Sequence, residues 1–172
     1  PARAEALHSL TAASDNIEIE QLDVTQQDSI QRAVQRTLDR HSRIDVLVNN
    51  AGIGAVGALE DVPDALLREV FDTNVYGAVA VSRAVLPTMR QQGAGRLVFI
   101  SAIGALLKTP YLGAYCAAKH AIDCIAATFD IELRPFGIRA SSVLPSAFHT
   151  GMADNLRMGF DDESPYSTAE RE

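Results

Sequence analysis

Tyr115 and Lys119 are the two residues whose types and spacing most directly suggest chemistry. They lie four positions apart in a segment with a helical pattern, so their side chains share one face of the helix, one turn apart. A free phenol has a pKa near ~10 and is a poor acid or base at neutral pH. A neighbouring ammonium favours the phenolate and lowers that pKa, so the pair predicts general acid–base catalysis. The structural alternative is a half-buried tyrosine beside a solvated lysine.

Small and polar residues follow the ends of several apolar, strand-like runs. These residues are Asp23, the run 49–52, Ser101 with Ala102, and Pro145 with Ser146. Ligands of an open parallel sheet bind outside the carboxyl ends of its strands, so we expect these residues to line one common edge. Each of them alone could be an ordinary turn residue, because Asn, Gly and Ser favour turns.

The hydrophobic pattern predicts strands and helices in alternation. Strands are expected at 17–22, 44–48, 96–101 and 138–144, and helices at 25–41, 63–91 and 112–133. Thr25 is a candidate cap for the first helix. The later strands are apolar runs without alternation, which is typical of parallel strands buried on both faces. The pattern therefore predicts the α/β class: a doubly wound, Rossmann-like parallel sheet in three αβα layers, forming one domain over 1–172.

Composition narrows the classes of partner. The net charge of −7, the pI near 5.0 and the lack of a Lys/Arg run argue against a nucleic-acid or anionic-membrane partner. The longest apolar stretch, 97–107, is about half of the ~20 residues that a membrane span needs. The four histidines show no metal-ligand spacing, so no metal site is expected. Cys116 and Cys124 lie too far apart on one predicted helix to form a disulfide, which makes a reducing, cytoplasmic compartment the default.

Four motifs occur in a fixed order along the chain. They are Asp23-Val24, Asn49-Asn50-Ala51-Gly52, Asn74 and Tyr115-Cys-Ala-Ala-Lys119. This order and spacing resemble the short-chain dehydrogenase/reductase family over about residues 17–152. The phrases GALEDVP, FDTNVYGAVAVSRAVLPTMR and IELRPFGIRASSVLP look most like the hydroxysteroid- and retinol-dehydrogenase-like members.

The resemblance implies an oxidoreductase that transfers hydride between NAD or NADP and a small-molecule secondary alcohol or ketone. Tyr115 would exchange a proton with the substrate oxygen. Lys119 would lower the tyrosine pKa and hold the nicotinamide ribose, and Asn74 would position a water that links Lys119 to solvent. The choice between NAD and NADP stays open, because the strand that normally decides it is not in this sequence.

The resemblance also implies cofactor contacts outside the catalytic helix. Asp23 would contact the adenine with Val24 packed beside it, and the turn of Asn50, Ala51 and Gly52 would run along the adenine ribose. Thr150 would contact the carboxamide or the pyrophosphate. The family further suggests a homodimer or homotetramer paired through the helices at 63–91 and 112–133; the alternative is that these faces pack only on the sheet.

Three departures from the family pattern bear on activity. Ala102 stands where the family has its catalytic serine, and loss of one preorganised donor costs roughly 10²–10³ in rate in comparable sites. Ser101 is adjacent, but neighbouring strand residues point to opposite faces, so we do not expect it to substitute. Ser146 replaces a glycine that lets the backbone approach the nicotinamide. No glycine-rich turn precedes Asp23, so we expect an internal fragment that lacks the first strand, that turn and the second strand, and that binds cofactor weakly by itself.

Two other readings remain open. The chain could be a catalytically silent binding or scaffolding module of the same fold, which Ala102 and Ser146 favour and which the intact Asn74, Tyr115 and Lys119 oppose. A flavodoxin-like receiver or nucleotide-switch domain shares the alternating pattern. It would need a phosphate loop or an acidic pocket at the strand ends, and the sequence shows neither.

Overall fold

The order of strands and helices follows the predicted alternation. The computed structural model describes residues 14, 16–146, 156–159 and 164–166. Its helices are α1 Gln27–His41, α2 Asp64–Phe71, a π-helical segment Asp72–Gly77, α3 Ala78–Gln92 and α4 Gly113–Leu133, with short 3₁₀ turns at Ile103–Ala105 and Arg134–Phe136. Its strands are β1 Val46–Asn49, β2 Gly54–Val56, β3 Gly95–Ile100, β4 Ile138–Val143 and β5 Leu156–Met158. Among these residues, no helix is long and apolar enough to cross a bilayer.

The central sheet is parallel and has the order β1-β3-β4. Leu97 in the middle strand pairs with Leu47 on one side and Ala140 on the other. Helices connect these parallel strands, because a tight hairpin can join only antiparallel neighbours. This topology confirms the predicted α/β class with a Rossmann-like parallel sheet. A second, two-stranded parallel sheet of β2 and β5 was not predicted.

One face of the central sheet carries the main core. Leu97, Phe99 and Ile138 are fully buried there, and side chains from α1, α3 and α4 pack against them. The Phe99 and Phe129 rings stack with their centroids 6.1 Å apart. A fully buried side chain of this size contributes roughly 1.5–3 kcal/mol through the hydrophobic effect. These strands therefore hold the helices, and the residues the helices carry, at fixed positions.

The opposite face of β1 is open in the part of the chain that the structure describes. Val46 and Val48 are 52% and 53% exposed. The prediction of burial on both faces is therefore wrong for this strand, because α1, α3 and α4 all contribute to the cluster on the other face. The result is the period-two burial expected for a sheet covered on one side.

Residues 17–22 do not form the predicted strand. A strand needs a hydrogen-bonded neighbour, and among the described residues none pairs with this segment. Ion pairs to α1 hold the segment instead: Arg36 contacts Glu20 at 2.5 Å and Arg40 contacts Glu18 at 2.8 Å. The apolar side chains Ile17, Ile19 and Leu22 are each more than 40% exposed, so the prediction of a half-exposed strand is wrong about burial as well as about pairing.

Thr25 does not cap α1 as predicted. The N-cap position is Gln26, which makes no side-chain cap hydrogen bond. The Thr25 hydroxyl donates instead to Asp23 Oδ1 at 2.7 Å. This local bond offers the hydroxyl an alternative to the helix N-terminus, as short polar side chains often do.

The predicted long helix at 63–91 is continuous but not uniform. Its middle, Asp72–Gly77, has the wider π-helical hydrogen bonding. Gly77 ends this part, where an added Cβ would lie 2.7 Å from Cγ2 of Val24. The missing side chain lets the loop that follows residues 17–22 pack against the helix. Such π-helical turns occur frequently at functional sites.

Candidate active site

Helix α4 carries Tyr115 and Lys119 to the carboxyl end of β3. Lys119 is buried, with 5% of its surface exposed, and its Nζ donates to the carbonyl oxygen of Ile100 at 2.6 Å. The same Nζ lies 5.7 Å from the centre of the Tyr115 ring. The two side chains therefore share a face, as their spacing predicted. The lysine is not solvated, which removes the structural alternative of a solvated lysine beside a half-buried tyrosine.

Burial sets the protonation of both groups. It lowers the pKa of Lys119 from 10.5 to about 8, because the charged ammonium loses hydration. It also raises the pKa of the Tyr115 phenol above 10.0, and the neighbouring Cys116 thiol adds to this rise. The prediction that the phenol pKa is lowered is wrong for this arrangement, since desolvation of the phenolate raises it. Tyr115 therefore holds its proton firmly at neutral pH.

Asn74 lies in the π-helical segment and clamps the chain just after β1. It is 3% exposed; its Oδ1 accepts from the backbone N–H of Ile53 and its Nδ2 donates to the Ile53 carbonyl, each at 2.8 Å. An added Cβ on Gly52 would lie 3.1 Å from Asn74 Oδ1 and 3.7 Å from Lys119 Nζ. The structure thus brings together Gly52, Asn74 and Lys119, three residues that lie far apart in the sequence.

The turn after β1 forms one wall of a small cavity of about 140 Å³. Its lining is mostly apolar and comprises Leu22, Val24, Leu47, Val48, Asn49, Asn50, Ala51, Ala78 and Val81. Three of the predicted cofactor contacts, Val24, Asn50 and Ala51, therefore line one cavity, next to Gly52. Apolar walls with a few polar groups are the usual lining of a small-molecule site.

A buried hydrogen-bond relay holds this turn in place. Asn49 Nδ2 donates to Ser82 Oγ at 3.0 Å, and that hydroxyl donates to the Ala78 carbonyl at 2.8 Å. Ser82 is fully buried. Sequence reasoning missed Ser82, because a serine inside an apolar helix gives no sign of which strand it will meet.

Asp23 lies at the surface near this cavity but does not line it. Its Oδ1 accepts from the backbone N–H and the hydroxyl of Thr25, which holds the pKa of the carboxyl below its ordinary value. The carboxylate therefore stays charged at neutral pH. Thr150, the remaining predicted cofactor contact, lies outside the described residues.

Ser101 does not replace the hydroxyl that Ala102 lacks. It is 2% exposed, and its Oγ donates to the backbone carbonyl of Lys119 at 3.0 Å. The hydroxyl is thus turned into α4, as the alternation along a strand predicted. Ser146 is exposed after β4, beside Pro145, whose carbonyl accepts from the Ile103 N–H at 2.9 Å.

A larger cavity of about 510 Å³ lies away from this chemistry. It is lined by loop residues Val24, Thr25 and Gln26 and by residues of α2 and the π-helical segment, including Arg68, Glu69 and Tyr76. Tyr115, Lys119 and Asn74 line neither this cavity nor the smaller one. Three of the predicted cofactor contacts line the smaller cavity, whereas Val24 alone lines the larger one, so these contacts favour the smaller cavity.

The family model of the short chain dehydrogenases matches residues 1–160 of this chain. The chain belongs to the short-chain dehydrogenase/reductase family. It is 39% identical to an uncharacterized oxidoreductase, YusZ, of Bacillus subtilis over 155 residues, which are 88% of the chain and 55% of that protein. It is also 39% identical to a 3-ketodihydrosphingosine reductase of Bacteroides thetaiotaomicron, over 78% of the chain and 50% of that protein. Human 17-beta-hydroxysteroid dehydrogenase type 1 is 34% identical over 88% of the chain and 46% of that protein, in line with the resemblance to hydroxysteroid dehydrogenases.

Solved structures of the family share the fold. A short-chain dehydrogenase from Streptomyces avermitilis superposes with a TM-score of 0.87 at 36% identity, over 95% of this chain and 62% of that one. ElxO with NADP bound matches at a TM-score of 0.78 and 28% identity, over 84% and 58% of the two chains. An NAD+-bound xylitol dehydrogenase matches at 0.73 and 31%, over 77% and 51%. The chain spans about half the length of the curated relatives it matches.

Proposed function

We propose that this chain provides the catalytic helix and the adenosine side of an NAD(P)-dependent oxidoreductase that interconverts a ketone and a secondary alcohol. The observation that carries the proposal is the meeting of Lys119 and Asn74 beside Gly52, with the Lys119 Nζ 5.7 Å from the centre of the Tyr115 ring. Other residues of the same strand-end edge line the 140 Å³ cavity. A crevice outside the carboxyl ends of parallel strands is where a dinucleotide binds in this class of sheet.

The residues present fit a nicotinamide cofactor. Val24, Asn50 and Ala51 would hold its adenosine part between apolar walls, and Lys119 would hold the nicotinamide ribose. The glycine at position 52 leaves room beside Asn74 and Lys119 that a Cβ would fill. Asp23 and Thr150 stay proposed contacts for the adenine and for the carboxamide or pyrophosphate. When bound, the cofactor supplies or accepts the hydride; structures of relatives with NADP and with NAD+ leave the choice between the two open.

Proton transfer falls to Tyr115 in this proposal. Its raised pKa means that the phenol is protonated at neutral pH, so it can donate a proton to a carbonyl oxygen as hydride reaches the carbonyl carbon. Asn74 fixes the backbone at Ile53 through its two hydrogen bonds. It thereby also fixes the position of the adjacent Gly52, and so of the turn after β1, relative to Lys119.

The surface next to Tyr115 favours an apolar ketone. Ile103, Leu106 and Leu107 follow Ala102 in the turn beside α4 and are 41%, 57% and 58% exposed. Gly104 of this turn packs close to Tyr115 and Cys116. Exposed apolar side chains beside a reacting group suit an apolar substrate. The named substrates of two relatives, 3-ketodihydrosphingosine and a hydroxysteroid, are a ketone and an alcohol, which supports the same reaction class.

A catalytically silent binding module is the second candidate. Ala102 has no hydroxyl, and the adjacent Ser101 hydroxyl is committed to α4. A site that keeps Tyr115, Lys119 and Asn74 but lacks the second donor could bind a cofactor and turn over poorly. Cofactor binding without turnover is the property that separates the two candidates.

The deciding experiment follows the absorbance of NADH and NADPH with a panel of apolar and polar ketones. Four proteins are compared: the wild type, Tyr115→Phe, Ala102→Ser, and the double variant. Turnover in the wild type that is lost in Tyr115→Phe supports the oxidoreductase, and a gain of roughly 10²–10³ in Ala102→Ser measures what the missing donor costs. Cofactor binding by fluorescence with no turnover in either the wild type or Ala102→Ser supports the silent module and rejects the oxidoreductase.

A further inference from the structure

Ser101 makes a hydrogen bond that neither its strand nor its helical partner needs for regular structure. It follows β3 directly, and its backbone N–H already donates to the Val143 carbonyl at 2.8 Å. The Lys119 carbonyl lies inside α4, where helix geometry supplies an N–H donor from four residues later. The 3.0 Å bond from Ser101 Oγ to that carbonyl is therefore an additional tie between strand and helix.

A second tie runs in the opposite direction within the same contact. Lys119 Nζ donates to the Ile100 carbonyl at 2.6 Å, one residue before Ser101. The lysine is thus attached to the end of β3 through both its main chain and its side chain. Ile100 pairs in turn with Val143 of β4, so the anchor point belongs to the central sheet.

We propose that Ser101 is a positioning residue, whose hydroxyl fixes the turn of α4 that carries Tyr115 and Lys119 against the end of β3. The inference rests on the proposed function, because it assigns Ser101 to the placement of that catalytic pair. It also gives the adjacent serine a role of its own, distinct from the hydroxyl missing at Ala102. Ser101 acts through Lys119 and touches neither substrate nor cofactor.

Removing the hydroxyl in Ser101→Ala loosens the turn without changing any group that does chemistry. A displacement of about an ångström in an active site costs up to roughly 100-fold in rate, so we expect kcat to fall by roughly 10-fold or more while KM for the ketone changes little. The loosened turn also admits water to the Lys119 ammonium. Its titration midpoint then rises by about half a pH unit or more towards the ordinary lysine value.

The titration midpoint of Lys119 can be measured directly, because Lys108 and Lys119 are the only lysines of the chain. Protein labelled with ¹³C at lysine Cε gives two signals; Lys108 is exposed and serves as the internal reference. The matched control is Thr128→Val. Thr128 Oγ1 also donates to a carbonyl of α4, that of Cys124 at 3.0 Å, but it lies on the exposed side of the helix.

The expected result is a shifted Lys119 signal and midpoint in Ser101→Ala, with wild-type values in Thr128→Val and in the hydroxyl-retaining Ser101→Thr. An unchanged Lys119 midpoint together with kcat within about twofold of the wild type overturns the proposal. If Ser101→Ala does not fold, Ser101→Cys, whose thiol is a weak donor, is measured in the same way. If neither the wild type nor Ala102→Ser shows turnover, the proposed function fails while the Lys119 midpoint still decides the role of Ser101.

Discussion

Replacing Lys119 by methionine tests the buried ammonium directly, through the pH dependence of stability. The pKa of Lys119 is about 8 in the folded protein and 10.5 in an exposed chain. The unfolded state therefore binds more protons between these two values, so the free energy of unfolding rises with pH across this window. Below it, the full difference corresponds to about 3 kcal/mol of lost stability. Solvent screens this charge little, since only 5% of the residue is exposed.

From these values, the wild type gains about 2 kcal/mol from this group between about pH 7 and about pH 9.5. Lys119→Met has no such group and should lack that gain. At about pH 7 the variant escapes a penalty of about 3 kcal/mol and loses the hydrogen bond to Ile100, worth about 1 kcal/mol, so it should be more stable by about 2 kcal/mol.

Urea unfolding followed by circular dichroism at both pH values measures these differences. The exposed Lys108, replaced by methionine, is the matched control and should keep the pH dependence of the wild type. Titration of the remaining groups is common to all three proteins and cancels in the comparison. Parallel stability curves for the wild type and Lys119→Met, with a difference that stays within about 0.5 kcal/mol across the pH range, would refute the burial argument.

Two further substitutions test the packing around the proposed cofactor cavity. Gly77→Ala places a Cβ 2.7 Å from Val24 Cγ2, so we expect the free energy of unfolding in urea to fall by about 1–3 kcal/mol. An unchanged free energy of unfolding would mean that the loop at Val24 moves freely away from the helix. Ser82→Ala leaves the Asn49 amide without its buried acceptor, so we expect the free energy of unfolding to fall by about 1–3 kcal/mol. We also expect a lower affinity for NAD(P)H, measured by fluorescence. Ser82→Thr, which keeps the hydroxyl, is the control. Equal cofactor affinity in the wild type and both variants would show that the hydrogen bonds of Ser82 do not affect cofactor binding in the cavity.

The elements that were predicted well are those whose pattern is local. The helix expected at 112–133 is observed at Gly113–Leu133, and the strand expected at 138–144 at Ile138–Val143, because helical periodicity and apolar runs are read within the segment itself. The segment 17–22 failed because pairing depends on a neighbour elsewhere in the chain. The short β2 was missed for the same reason, since its partner β5 lies about a hundred residues away.

The same distinction holds for the candidate site: features that depend on local spacing were predicted, and features that depend on distant residues were not. Helical spacing placed Tyr115 and Lys119 on one face, and strand alternation turned Ser101 away from the position of Ala102. The contact of Asn74 with the backbone beside Gly52 depends on the π-helical segment, which a hydrophobic pattern does not reveal. The direction of the phenol pKa depends on burial by residues from several elements, and spacing alone gave the wrong sign.

For the proposed reaction, the raised phenol pKa and the alanine at position 102 together define the part that Tyr115 plays. In a site with a serine, two hydroxyls share the developing charge on the substrate oxygen; here Ala102 contributes none and Ser101 is bound to α4. In the proposed oxidoreductase, the charge would then be neutralised mainly by the proton that Tyr115 transfers. Burial keeps the phenol protonated to a higher pH than that of an exposed phenol. The rate of ketone reduction should therefore stay constant up to alkaline pH and fall only as the phenol ionises. A rate that already declines near the Lys119 pKa of about 8 would show instead that the lysine is the group whose protonation the reaction requires.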